Sequence, residues 1–190
     1  MNGNDNHEIE VKFAISSVEE LIPGITALGA KPEQPTQLER NLRWDDRNGT
    51  LSKTNQVLRL RDNGGTSVLT YKAGRQNDQG LADREEIETV VTDFDNTCLI
   101  LERLGYEIVF IYEKYRSIYS LNNTGLFVDH TPIGDFIEIE GPDGDAIRAS
   151  AELLGLNWEE RIDKGYRALF EQWKKQTGYP GRDMVFRAEP

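Results

Sequence analysis

The chain has 190 residues, with 22 Lys and Arg against 33 Asp and Glu, a formal charge of −11, and 37% hydrophobic residues. Those figures suit one soluble domain, and the acidity argues against nonspecific binding to nucleic acid or a membrane surface. No apolar run approaches the roughly 18 residues of a membrane span, and the lone Cys98 leaves no disulfide framework and reads as a small buried hydrophobe.

Residues 1–6 are polar and do not read as a signal peptide, which points to a cytoplasmic protein. Apolar and polar residues alternate over 7–14, 37–45, 56–62, 67–74, 83–91, 107–119, 125–129 and 135–141, which predicts eight strands. Helices are expected over 17–28, 93–104, 144–154 and 163–177. The first opens on a capping box, Ser17-x-x-Glu20, and Pro23 should kink or split it. The first three end at Leu-Gly: Leu28-Gly29, Leu104-Gly105 and Leu154-Gly155, where glycine suits a left-handed cap. Asp62-Asn63-Gly64-Gly65 reads as a hairpin turn, Gly74 to Gly80 as a mobile loop and Asn122-Asn123-Thr124-Gly125 as a turn. On the last helix Tyr166, Leu169, Phe170 and Trp173 form an apolar stripe, read as a packing face against the outside of the sheet. One domain is expected over 1–190, with a core over about 7–177 and a tail over 178–190 whose Met184, Val185 and Phe186 dock back.

The charges repeat with a period of two. Glu-Ile-Glu occurs at Glu8–Glu10, Glu86–Glu88 and Glu138–Glu140, and residues i and i+2 of a strand share a face. Lys12, Lys72 and Arg84 continue the same spacing, as do the pairs Arg59/Arg61 and Lys114/Arg116, while Ile9, Ile87, Ile137 and Ile139 take the other face. Asp129 joins the charged set. Two arrangements fit: an open sheet with a solvated charged face, or a closed barrel with a charged lumen and helices outside. Glu-x-Glu and Arg-x-Arg fall on different strands, whereas a solvated face tends to mix signs. Carboxylates at this spacing suit a hard divalent cation, and arginine forks suit phosphate oxygens. No pattern for a covalent nucleophile is present, which leaves an activated water as the attacker.

Glu8-x-Glu10-x-Lys12, Leu58-Arg59-Leu60-Arg61, Leu69-Thr70-Tyr71-Lys72, Arg84-x-Glu86-x-Glu88, Glu113-Lys114-x-Arg116 and Phe136-x-Glu138-x-Glu140 resemble, in order, the CYTH domain of the triphosphate tunnel metalloenzymes. The resemblance runs from about Glu8 to Tyr166 and implies an α+β fold: a closed eight-stranded antiparallel barrel holding a triphosphate compound with Mg2+ or Mn2+. It implies that Glu138 and Glu140, with Asp129, hold the main metal. Glu8 and Glu10 would hold a second metal or orient the water. Lys12, Arg59, Arg61, Lys72, Lys114 and Arg116 would bind phosphates, with Glu8, Glu10 and Lys12 as the catalytic set. Glu86 and Glu88 either touch metal or pair with Arg84 or Lys114. Lys164 either reaches the tunnel mouth or is a solvated helix-start lysine. The activities implied are a triphosphatase, acting on tripolyphosphate, thiamine triphosphate or a nucleoside triphosphate, and a class IV adenylyl cyclase. A noncatalytic triphosphate binder is the third reading. Neither nucleic acid nor a membrane is an expected partner.

The remaining conspicuous residues read as structural. His7 and His130 have the wrong parity for the charged face. Trp44, with Asp45 and Asp46, stands where many relatives have Tyr-Phe-Asp, and is expected to pack at a strand end. Glu159-Glu160 is expected in a solvated turn.

Overall fold

The computed structural model describes residues 7–76 and 81–186. Residues 1–6, the end of the expected loop at 77–80 and the last four residues of the tail lie outside the described residues. The elements run β1 (His7–Ile15), α1 (Val18–Ala27), β2 (Lys31–Asp46), α2 (Thr50–Lys53), β3 (Gln56–Asp62), β4 (Ser67–Gln76) and β5 (Ala82–Val91). They continue with α3 (Phe94–Arg103), β6 (Tyr106–Leu121), β7 (Thr124–Thr131), β8 (Gly134–Gly141), α4 (Gly144–Leu153), a 3-10 turn at Trp158–Glu160 and α5 (Tyr166–Thr177). The strand order is β1-β5-β4-β3-β2-β6-β7-β8, every neighbour antiparallel. β8 also pairs with β1, setting Lys12 opposite Glu138 and Glu10 opposite Glu140, so the strands close into a ring.

Local chemistry places the helix ends where the sequence does. Ser17 Oγ, Asp93 Oδ1 and Asp143 Oδ1 accept N–H bonds three residues on, from Glu20 (3.1 Å), Asn96 (2.9 Å) and Ala146 (2.8 Å). The three Leu-Gly stops place Gly29, Gly105 and Gly155 at φ of +87°, +92° and +70°. Pro23 does not split α1, which runs on to Ala27. β4 takes in Gly74, as its expected strand did, and runs on to Gln76 into the expected loop; Gly74 stands at φ +133°, where a Cβ would meet the Asp83 carbonyl oxygen at 2.7 Å.

The early start of one strand and one short helix were not anticipated. β2 begins at Lys31, six residues earlier than expected, through Pro32 and Pro35. Among the described residues this stretch pairs only with β6, with register shifts at Pro32/Gln34 and Gln34/Gln37, since β3 joins β2 from Arg40. A proline is tolerated where a strand has one neighbour. α2 hangs from two carboxylates: Asp45 accepts from the Leu51 and Ser52 amides at 2.9 Å, and Asp46 from those of Asn48 and Thr50 at 2.9 Å.

Alternation sorts the strands into two faces. On the apolar face, Val11, Phe13, Val128, Ile137 and Ile139 bury against Ile25 of α1 and Ile147 and Ala151 of α4, while Leu42, Trp44 and Leu60 bury against Leu101 of α3. Each such side chain contributes about 1.5–3 kcal/mol on burial. Ile87 departs from expectation. It shares the apolar parity but is 49% exposed, because no helix covers that part of β5.

The stripe on α5 meets the other face. Phe170 packs on Phe110 and Tyr166 on Tyr112 and Phe136, with ring centroids 5.6–6.0 Å apart. Phe110 and Tyr112 have the parity of Lys114 and Arg116, and Phe136 that of Glu138 and Glu140. The helix therefore does not pack on the helix-covered face, as its stripe suggested. An aromatic end to the charged face needs its own cover. The tail docks as expected: fully buried Met184 pairs with β6, its N–H donating to the Ile111 carbonyl (2.9 Å) and its carbonyl accepting from the Glu113 N–H (2.8 Å).

Candidate functional site

The charged side chains meet around a cavity of about 320 Å3 whose lining draws on all eight strands and on the start of α5. Glu8, Glu10, Lys12, Arg59, Arg61, Lys72, Lys114, Arg116, Glu138 and Glu140 line it, as do Arg84, Glu86 and Glu88. Asp129 and Lys164 do not. Lys164 is exposed and borders a recess of about 10 Å3 beside Glu10 and Arg84.

One end is a buried ionic knot. Asp129, fully buried, receives Arg116 through Nε and an Nη, both at 2.6 Å, Lys114 Nζ at 3.1 Å and the Tyr166 hydroxyl at 2.6 Å. Both its oxygens are engaged, so Asp129 holds Arg116, Lys114 and the Tyr166 hydroxyl in place. Glu138 pairs with Lys12 and Arg116. Burial pushes its carboxyl up, but Lys12, Arg116 and Lys114 outweigh that and hold it well below the usual range. Burial likewise opposes the Lys12 ammonium, and Glu138 and Glu10 overcome it. The ring of Tyr166 lies under Lys12 Nζ at 4.4 Å and Lys114 Nζ at 5.1 Å.

A second group sits on β1, β4 and β5. Lys72 bridges Glu8 and Glu86, the latter at 3.0 Å, and the two carboxyls share a hydrogen bond. Burial and that hydrogen bond raise Glu86, while Lys72 and the same bond overcome burial and hold Glu8 low. Arg59 reaches Glu88 at 3.3 Å and Glu86 at 3.8 Å, and Arg61 reaches Glu88 at 3.7 Å. Glu86 and Glu88 therefore pair with cations, although their partners are Lys72, Arg59 and Arg61 rather than Arg84 or Lys114.

Glu140 differs from these. It has no ion-pair partner within 4 Å among the described residues, and it faces Glu10 across the β1–β8 ladder. Burial, then Glu8 and Glu10, raise its pKa to about 7. A half-buried carboxylate beside two others calls for a cation. As the side chains stand, no three His, Cys, Asp or Glu residues are arranged to hold a metal ion among the described residues. Mg2+ needs only one or two carboxylates when phosphate oxygens and water complete its shell, and that demand Glu140 with Glu10 or Glu8 fits.

Several site residues escaped the sequence reading. Glu39, 2% exposed, lies 3.7 Å from Lys114 Nζ and 3.8 Å from Arg61. Burial raises it, but Lys114, Arg116, Arg61 and Arg59 bring it below the usual carboxylate range. Arg43 and Tyr112 line the cavity from β2 and β6. The alternation Glu39-x-Asn41-x-Arg43 was the available signal. Tyr166 was hidden in an apolar stripe. His7 and His130 are exposed beside Asp83 (2.9 Å) and Asp135 (2.6 Å), away from the cavity.

Among known proteins, the family model described as CYTH domain matches residues 6–162. A Methanocaldococcus jannaschii protein carrying the name "putative adenylate cyclase" is 28% identical over 134 residues, covering 70% of this chain and 75% of that protein. A solved Pyrococcus horikoshii structure is 28% identical at a TM-score of 0.72, over 84% of this chain and 96% of that one. A Hippeastrum protein, described as a "putative adenylyl cyclase" with a dominant triphosphatase activity, is 17% identical at a TM-score of 0.62, over 91% of this chain and 98% of that one. At that identity the likeness is one of fold alone.

Proposed function

Because the chain belongs to the CYTH domain family, we propose that it is a divalent-metal-dependent phosphohydrolase acting on a triphosphate-containing compound held in a tunnel formed by the ring of strands. The observation that supports it is Glu140, a carboxylate with no ion-pair partner within 4 Å among the described residues, in a cavity also lined by arginines and lysines. Glu140 and Glu10 would hold Mg2+ or Mn2+. When bound, the ion supplies Lewis-acid neutralisation of phosphate oxygens. Arg59, Arg61, Lys72, Lys114 and Arg116 bind the phosphoryl oxygens, and Lys12 stabilises the charge that grows as the terminal bond breaks. Asp129 and Tyr166 fix the directions of Arg116, Lys114 and Lys12. Glu8, held ionised by its hydrogen bond with Glu86 and by Lys72, orients the attacking water. Phosphoryl transfer asks for positioning and charge stabilisation, and no covalent nucleophile is needed.

A cyclase reading is favoured by the name of the Methanocaldococcus jannaschii relative. It would use the same cations, with the 3′-hydroxyl of ATP in place of water. Purified protein should be incubated with tripolyphosphate, thiamine triphosphate or ATP, with Mg2+ or Mn2+, and the products identified. Orthophosphate release supports the hydrolase. Cyclic AMP with pyrophosphate supports the cyclase, and binding without turnover leaves a noncatalytic triphosphate module.

A further inference from the structure

A second cavity, of about 630 Å3, adjoins the first and shares Arg43, Val57, Lys72, Arg84, Gly165 and Arg167 with it. All four of its cations, Arg43, Lys72, Arg84 and Arg167, also line the first cavity, and two of them carry spare charge. Lys72 is committed to Glu8 and Glu86, and Arg84 lies 3.8 Å from Glu10. Arg43 has no ion pair among the described residues, and its buried Nε donates to nothing. Among the described residues Arg167 makes one neutral hydrogen bond, to Ser52 Oγ at 3.3 Å. Two acids, Asp163 and Glu171, also border the cavity, and Glu171 lies 3.8 Å from Lys174.

The backbone adds to the same sign. α5 starts here, and its N-cap Gly165 has no side chain to accept from the first N–H groups of this 12-residue helix, its carbonyl taking that of Ala168 at 3.0 Å. Burial depresses the Arg43 guanidinium, Tyr112 opposes this, and the like charges of Arg167, Arg59 and Arg84 add to the depression. A buried guanidinium facing other cations is costly unless an anion joins them.

We propose that this second cavity is an anion subsite, in which Arg43, Arg167 and the uncapped start of α5 bind a phosphoryl group additional to the three in the first cavity. Two spare guanidiniums match the charge and forked geometry of a phosphoryl dianion. The inference rests on the triphosphate reading of the first cavity. The extra group would be either the continuation of a longer phosphate chain or a separate phosphate ion.

Binding of tripolyphosphate and tetrapolyphosphate to the full chain, measured by calorimetry with Mg2+, tests the linked form. Tetrapolyphosphate should bind at least tenfold more tightly, and Arg43→Gln and Arg167→Gln should each reduce that ratio towards one. Inorganic phosphate tests the separate form: added to protein saturated with tripolyphosphate, it should raise the melting temperature of the parent chain and not of the variants. Melting of each variant without ligand checks that it folds, and Arg167→Gln, on a half-buried residue at a helix start, keeps the test open if Arg43→Gln does not. Equal binding of the two polyphosphates together with no effect of phosphate overturns the subsite. Failure of tripolyphosphate itself to bind overturns the triphosphate reading instead.

Discussion

Glu140 sits half-buried beside Glu8 and Glu10, with no ion-pair partner within 4 Å among the described residues. Its folded pKa of about 7 exceeds the ordinary glutamate value of 4.5, so between those limits the folded chain binds more protons than the unfolded one. The stabilisation is complete below pH 4.5 and is lost as pH rises through 7. In metal-free buffer the melting temperature should fall over that window, and Glu140→Gln should flatten the fall. The same variant should cost about a hundredfold or more in turnover, because an ion that stabilises phosphate charge contributes several kcal/mol; near-normal turnover at saturating Mg2+ would remove Glu140 from the metal site. Tyr166→Phe removes one charge-assisted hydrogen bond to buried Asp129. A loss of about 1.5–3 kcal/mol is expected by urea unfolding. An unchanged midpoint would mean that Arg116 and Lys114 satisfy Asp129 alone. At this scale the sequence showed residues whose signs repeat along one strand, such as Glu8/Glu10 and Arg59/Arg61. It hid Glu39 and Arg43, because β2 mixes acid, amide and base on its inner parity and so lacks a single-sign signature.

The strands and the cores of the helices were legible because period-two alternation and the Leu-Gly stops are local signals. What was not legible depends on neighbours. The prolines of β2 are tolerated only because that stretch lacks a second partner, and the side of the sheet that α5 covers depends on Phe110, Tyr112 and Phe136 extending the charged face. Met184 of the tail seals that aromatic cluster at 0% exposure. Met184→Ala should therefore destabilise by about 2–5 kcal/mol, read as a lower urea midpoint, and a cost below about 0.5 kcal/mol would show that the cluster closes without the tail. Gly74→Ala tests the close approach of β4 to β5. A side chain at φ +133° with the Asp83 carbonyl 2.7 Å from its Cβ forces the strands apart, at a cost of about 1–3 kcal/mol.

Taken whole, the molecule sets a cation-rich cavity inside a chain of charge −11. A polyphosphate–metal complex should stabilise it by mass action, by about 2.7 kcal/mol at a hundred times the dissociation constant. The shift in melting temperature should shrink as salt rises, since the screening length falls to about 3 Å at 1 M. It should be lost in the double variant Arg59→Ala/Arg61→Ala, and an unchanged melting curve with millimolar tripolyphosphate and Mg2+ would count against the tunnel reading. Ring closure has a further consequence, for the order of synthesis. β1 finds its last partner in β8, with Lys12 paired to Glu138. On a ribosome the first strand must therefore wait for most of the chain to emerge before its charges are covered. Pairings this distant in sequence make for slow folding. In that interval Glu8, Glu10 and Lys12 keep the nascent strand hydrated and poorly suited to joining a neighbouring chain, a protection that inward-pointing charges give any unpaired strand.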